Sequence, residues 1–417
     1  MIDRRQLLGT AAGTLALPAF AQKRPVRIGY VSPQSGPLSA FSEADKYVTA
    51  QFRKAAAAKG LSVDVVVKDS QSSPNRAADV ARELIVRDKV HLILVASTPE
   101  TTNPVCTIAE AEEVPVISSV APWQPWFVGQ QGNPGNPASW APFDWVYHFF
   151  WGLEDNVAVF LNLWKNVAGN KSVGALWPND GDGNAWAGSA GLPGPAKTAG
   201  YRLTDPGRYQ NLSDDFSAQI NAFKKNDVEI ITGIPIPPDF TTFWTQASQQ
   251  GLRPKLVSIA KALLFPESVA ALGRLGHNLT CEVYWAPQFP FTSSLTGESC
   301  AELAADFTRA AGRAWTQPVG FTHALFEVAA DVVRRASDPT RRPALAEAIA
   351  ATKLDTVVGN IRWGRDNVPP FARKNVAKTP LVGGQWRRKA DGRFDLVIVE
   401  NGNSPNIPLG GTLELLR

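Results

Sequence analysis

The chain has 417 residues, of which 44% are hydrophobic and 19% charged, and its formal net charge is +4. That length suits two or three globular domains with ample core, and the composition is that of an ordinary globular protein. The charge is too weak and too dispersed to mark a nucleic-acid-binding surface.

The N-terminus sets Arg4 and Arg5 ahead of Gln6, Leu7 and Leu8, and a mildly apolar stretch over 7–17 closes on Ala19, Phe20 and Ala21. A basic start, an apolar run and an A-x-A exit predict a cleaved export leader over 1–21, and the arginine pair resembles a twin-arginine signal. The mature chain then begins near Gln22, and losing Asp3, Arg4 and Arg5 takes the charge from +4 to +3. No later run supplies the ~20 apolar residues of a membrane helix. The expected destination is the periplasm.

From Val26 onward, strand and helix signals alternate. A strand over 26–31 is followed by a loop over 32–38 rich in Pro and Gly, then by Phe41, Ala44, Tyr47, Val48, Phe52 and Ala55 at helical spacing. Gly60 ends that helix. A strand over 63–67 precedes Ser73 and Pro74, an N-cap with proline at the first helical position. Ala77, Val80, Ala81, Leu84 and Ile85 form one face of the helix that follows. The run 90–96 reads as a strand covered on both faces, and another helix and a strand over 114–117 complete a doubly wound parallel sheet.

The rhythm breaks over 123–151, a stretch rich in Pro, Gly, Asn and Trp, with a linker-like tract at 129–142. A second series then begins, with strands over 172–176, 229–232 and 256–259 and helices after Trp186 and over 216–225 and 240–249. The expected fold class is therefore α/β, with two doubly wound parallel-sheet lobes. Of the three cysteines, Cys281 and Cys300 lie close enough to staple a local segment. Cys106 reads as a small buried hydrophobe on a helix.

The chain resembles the type I periplasmic binding proteins of the leucine/isoleucine/valine and amide class. The likeness rests on Ile28-Gly29-Tyr30-Val31-Ser32-Pro33-Gln34-Ser35-Gly36-Pro37-Leu38, on Asp69-Ser70-Gln71-Ser72-Ser73-Pro74, on Asp88-Lys89-Val90-His91-Leu92-Ile93 with Ser97-Thr98, and on Val114-Pro115-Val116-Ile117-Ser118. In the second half, Trp177-Pro178-Asn179-Asp180-Gly181-Asp182-Gly183 and Asp214-Asp215-Phe216-Ser217 occupy the counterpart places. The resemblance implies two lobes joined by a three-crossover hinge, a ligand in the cleft between them, closure on binding, and an ABC permease as partner. The lobes are expected as 22–145 and 283–358 for the first, and 146–282 with 359–417 for the second.

Carried over by position, the resemblance gives Leu38 and Phe41 as an apolar wall and Ser97 and Thr98 as anion donors. Val120, Ala121 and Pro122 follow as the next contact, and Asp180, Pro235 and Lys261 stand on the second lobe. A helix N-terminus suits an anion, although Ser97 and Thr98 can also simply cap their helix. Two departures stand out. Ala121-Pro122-Trp123 replaces a loop that often carries threonine, and proline has no N–H to donate. Lys261 stands where an amino-acid binder places a carboxylate, so it should repel an ammonium and attract an anion, unless it merely lies on the surface beside the cleft. Trp123, Trp126, Trp177 and Trp186 fall at strand-to-helix turns, where flat rings could stack on a ligand.

These readings point to a non-enzymatic carrier of a small carboxylate, aromatic carboxylates included. Branched-chain amino acids, amides, or a sensor role of the same fold are the alternatives. His91, His148, His277 and His323 are scattered singly, and no metal, nucleophile-elbow or phosphate-loop motif is present. Asp180 with Asp182 reads as a turn rather than a catalytic pair. The chain is expected to be a monomer with no cofactor, no metal and no nucleic-acid partner.

Overall fold

The computed structural model describes residues 25–416, and the expected leader over 1–21 lies outside them. Along the first stretch come β1 (Val26–Ser32), α1 (Asp45–Ala58), β2 (Val63–Asp69), α2 (Pro74–Val86), β3 (Leu92–Ala96), α3 (Pro99–Ala111), β4 (Val116–Ser119), α4 (Trp123–Val128) and β5 (Val146–Phe149). The second stretch holds α5 (Leu153–Trp164), β6 (Ser172–Pro178), α6 (Gly181–Ala187), α7 (Pro193–Thr198), β7 (Arg202–Thr204), β8 (Arg208–Tyr209), α8 (Ser217–Lys225), β9 (Ile230–Gly233), α9 (Pro237–Gln249), β10 (Leu256–Ile259), α10 (Pro266–Ala271) and β11 (Thr280–Val283). The chain then returns through α11 (Cys300–Ala311), α12 (Gln317–Arg335), α13 (Arg342–Ala350), the hairpin β12 (Lys353–Thr356) and β13 (Gly359–Arg362), and β14 (Val376–Ala377). It ends with β15 (Val382–Arg388) and β16 (Phe394–Glu400).

Two large sheets result besides the β12–β13 hairpin, and they define two lobes. The first runs β14-β5-β4-β3-β1-β2 with every pairing parallel. The second runs β16-β15-β11-β10-β9-β6-β7, and its only antiparallel pairings are those of β15, with β11 and with β16. The chain passes between lobes three times, after β5, after β11 and after β14. The first and third passages therefore follow Phe149 and Ala377, later than the boundaries at 145 and 358 read from the sequence. Asn375 explains the third: its main chain accepts the His148 N–H at 2.8 Å, and its amide ties Phe143 and Val146, stitching a two-residue strand to the first sheet. So short a strand leaves no period-2 signal.

Local chemistry fixes the elements in the expected way. Ser73 accepts the Arg76 N–H, with Pro74 opening α2, and all five residues of β3 are buried between helices on both faces. Helix α12 is buried along nearly its whole length. Phe326 and Phe321 of α12 meet Tyr30 and Phe149 of the sheet with ring centroids 5.3 and 6.0 Å apart. A Cβ on Gly320 would stand 2.2 Å from the Trp285 ring, so only glycine admits that approach.

The expected Cys281–Cys300 staple does not form: all three cysteines are free and buried. Cys281 lies in β11 of the second lobe, whereas Cys300 opens α11 of the first and donates to the Val357 carbonyl at 3.2 Å. Nearness in sequence is cancelled by the passage between lobes. Among the described residues, no helix is long and apolar enough to cross a membrane.

Candidate functional site

Segments that leave the carboxyl ends of the parallel strands meet between the lobes, the usual place for a ligand in open α/β sheets. Leu38 and Phe41, after β1, are both buried. The Phe41 ring meets Phe265, just before α10 of the second lobe, edge-on with centroids 5.1 Å apart. After β3, Glu100 accepts the N–H of Gly181 at 2.5 Å, again across the lobes. A Cβ at position 181 would come within 2.8 Å of the same carboxylate oxygen, so a larger residue there would push the Glu100 carboxylate aside.

Ser97 and Thr98 sit at the start of α3 and are buried. Thr98 is the N-cap residue, yet its hydroxyl makes no capping bond. Its carbonyl accepts from Thr101 and Thr102, and that of Ser97 accepts from the Thr102 hydroxyl. The Ser97 and Thr98 hydroxyls have no partner among the described residues. Buried hydroxyls left without a partner cost free energy, so a ligand oxygen between them would satisfy a standing deficit at the positive end of a helix dipole.

The next contact, Val120 to Pro122, is held under strain. Val120 has φ 71°, a conformation costly for a β-branched side chain. Ser119 donates to the Phe149 carbonyl at 2.6 Å, while the Ala121 carbonyl lies 2.7 Å from His148 Nε2. His148 Nδ1 is 2.9 Å from the Ser118 hydroxyl, so the neutral ring donates from Nε2 and accepts at Nδ1. Burial holds this imidazole down at about 3, and Trp126 stacks on it with centroids 4.5 Å apart.

On the second lobe the expected anion-attracting Lys261 is found spent. Its ammonium is buried, 2.8 Å from Asp182 Oδ2 and 3.4 Å from Asp180 Oδ2. Its backbone takes φ 63°, and its N–H donates to Glu282 Oε1 at 2.9 Å. Burial opposes its charge, but Asp180, Asp182 and Glu100 outweigh burial and hold the ammonium above its usual range. Asp180 also caps α6 through Gly183 at 2.7 Å and accepts from Asn211 at 3.1 Å. Burial raises Asp182 to about 7, with Lys261 opposing and Glu100 and Asp180 adding to the rise. Glu282 is pushed by burial to about 8. Asp180 and Asp182 thus hold one ammonium while Glu282 holds the same residue's backbone, and Asp182 Oδ1 and Glu282 Oε2 have no partner among the described residues. The expectation that Lys261 offers a free charge to an anion is corrected: the turn of α6 supplies its counter-ions.

The remaining expected residues are placed as follows. Pro235 is buried between β9 and α9. Trp123 donates to Glu154 at 3.2 Å and packs 6.3 Å from Phe371, a contact at the first passage between lobes. Trp177 and Trp186 are fully buried, 6.0 Å apart, with Trp186 also 6.0 Å from Phe160 of α5. Each of the four tryptophan rings expected to face a ligand has an intramolecular ring partner. Sequence reasoning missed Glu100, His148 and Glu282. Glu282, a lone charge in the strand Thr280–Val283, carried the clearest signal, since a carboxylate in an otherwise covered strand is rarely there for packing.

A protein-family model described as "Periplasmic binding protein" matches residues 25–379. No curated protein sequence matches. Among solved structures, the chain is similar to a leucine-binding protein, LivK, from Thermotoga maritima, with TM-score 0.73 and 18% identity over 91% of this chain and 99% of that one. It is also similar to a leucine-, isoleucine-, valine-, threonine- and alanine-binding protein from Brucella ovis in closed conformation, with TM-score 0.72 and 16% identity over 93% and 97%. A Rhodopseudomonas palustris ABC-transporter solute-binding protein in complex with 4-hydroxybenzoate matches with TM-score 0.69 and 14% identity over 90% and 96%.

Proposed function

The chain belongs to the periplasmic binding protein family, and from that premise we propose that it is the exported solute-binding component of an ABC importer. Its solute is a small carboxylate, aromatic carboxylates included. The observation that carries this reading is the pair of buried, unpartnered hydroxyls on Ser97 and Thr98 at the N-terminus of α3. Leu38 and Phe41 wall the cleft on the first lobe, with the Val120–Ala121 loop beside them, and Asp180, Pro235 and Lys261 close it from the second. Trp123 and Trp186 support the hinge and α6 behind it. Solute binds one lobe and then gains contacts from the other, so closure follows from its higher affinity for the closed form. The closed monomer docks on the permease, with no enzyme chemistry, cofactor or nucleic acid involved.

A second reading is favoured by Asp182 Oδ1 and Glu282 Oε2: an α-amino acid would place its ammonium there and its carboxylate at Ser97 and Thr98. A thermal-shift panel of aromatic acids, aliphatic acids, amides and amino acids on the mature protein tests both, since stabilisation follows ligand concentration over Kd. Stabilisation by acids lacking an amine supports the first reading. Stabilisation by leucine or valine alone replaces it with the second, and stabilisation by amides alone refutes both.

A further inference from the structure

The loop over 129–142, which reads as a linker in sequence, is an ordered wall. Gln131 and Ala141 exchange two hydrogen bonds, at 3.2 and 3.0 Å. Trp140 donates to the Asn133 carbonyl at 3.3 Å, and its ring packs 5.2 Å from Phe371 and 6.5 Å from Phe127. Compact loops closed by their own contacts are preformed surfaces.

That wall bounds a chamber of about 780 Å³, open to solvent on one side, whose lining comes from both lobes. Pro125, Val128 and Trp140 face it from the first lobe and Ala185 from α6 of the second, so its surface is mostly apolar. Pro99 and Glu100, which line it, directly follow Ser97 and Thr98 at the start of α3, and Gly181, also in its lining, donates to Glu100 across the lobes. Its volume lies within the roughly 300–1,000 Å³ of small-molecule pockets.

We propose that this chamber is a second subsite, taking the apolar body of an extended carboxylate whose head group lies at Ser97 and Thr98. The Glu100–Gly181 contact is the threshold which that body displaces. The proposal rests on the carboxylate reading above and extends it from compact acids to acids with a bulky apolar body. Because the walls belong to different lobes, such a body also bridges them and favours closure.

The test is calorimetric titration of benzoate and of biphenyl-4-carboxylate into the mature protein and into Ala185→Trp, which fills the chamber from α6. Val128→Trp fills it from the first lobe and serves as an independent second variant, with the thermal midpoint confirming that each is folded. Neither substitution touches Ser97 or Thr98. The expected result is at least tenfold weaker binding of the biphenyl acid in each variant, with benzoate unchanged within twofold. The chamber proposal is overturned if the wild type binds benzoate and rejects the biphenyl acid. It is equally overturned if the variants weaken both acids alike, or neither. A wild type that binds neither acid overturns the chamber proposal, while the carboxylate reading is decided separately by the aliphatic acids of the thermal-shift panel.

Discussion

Replacing Lys261 by Met removes the ammonium that lies 2.8 Å from Asp182 and 3.4 Å from Asp180 while keeping a chain of similar reach. Breaking a buried ion pair from one side costs about 3–5 kcal/mol, because a charge is left buried and uncompensated. The cost depends on pH in a definite sense. Asp182 titrates at about 7 in the folded protein, above the ~3.9 of an unfolded aspartate. A group raised on folding contributes stability below its unfolded value and loses it as pH rises through the folded value. Without Lys261 the Asp182 value climbs further, at about 1.4 kcal/mol per unit. Lys261→Met should therefore cost several kcal/mol at pH 8 and much less at pH 5, where Asp182 folds protonated. Urea denaturation at the two pH values measures the difference, and adding Asp182→Asn should recover most of the loss at pH 8. A loss below about 1 kcal/mol that is the same at both pH values would refute the buried-cluster account.

Ser97→Ala combined with Thr98→Val should abolish carboxylate-induced thermal stabilisation and leave the midpoint of the unliganded protein unchanged or raised, since neither hydroxyl has a protein partner. A lowered midpoint without ligand would show that they act structurally. His148 and His323 are held by burial at about 3 and about 4, so their contribution is present above about 6.5 and is lost as pH falls toward those values. His148→Phe should reduce the acid-side slope of stability against pH and speed amide exchange over 119–121, and an unchanged slope speaks against a neutral His148. With three buried free thiols, a thiol reagent should react only after unfolding, and reductant should leave the midpoint unchanged. A reductant-sensitive midpoint would reinstate a disulfide.

Much of this fold was legible because its periodic signals are local. Ser73 with Pro74 opens α2 as expected, and the apolar run of β3 marks a strand covered on both faces. What escaped depends on contacts distant in sequence. The two-residue β14 is placed by Asn375, 229 residues from the Val146 carbonyl it binds. Lys261 looked like a free cation because its counter-ions arrive from the turn after β6, 81 residues away in the case of Asp180. The cysteine pairing failed for the converse reason, as neighbours in sequence went to different lobes. Trp177 and Trp186 were expected at strand-to-helix turns, but they lie within β6 and α6, where ring packing inside the second lobe claims both. The hydroxyls of Ser97 and Thr98 were placed correctly at a helix start, and the structure adds that capping does not use them.

The carboxylate reading meets its most direct test in calorimetric titration of the mature protein, refolded free of solute, with 4-hydroxybenzoate and with its uncharged amide. Ser97 and Thr98 at the head of α3 favour an anion, so the acid should bind and the amide should bind at least tenfold more weakly, with the acid's advantage lost in the Ser97→Ala, Thr98→Val double variant. Equal binding of acid and amide, or acid binding that survives the double variant, would contradict the account.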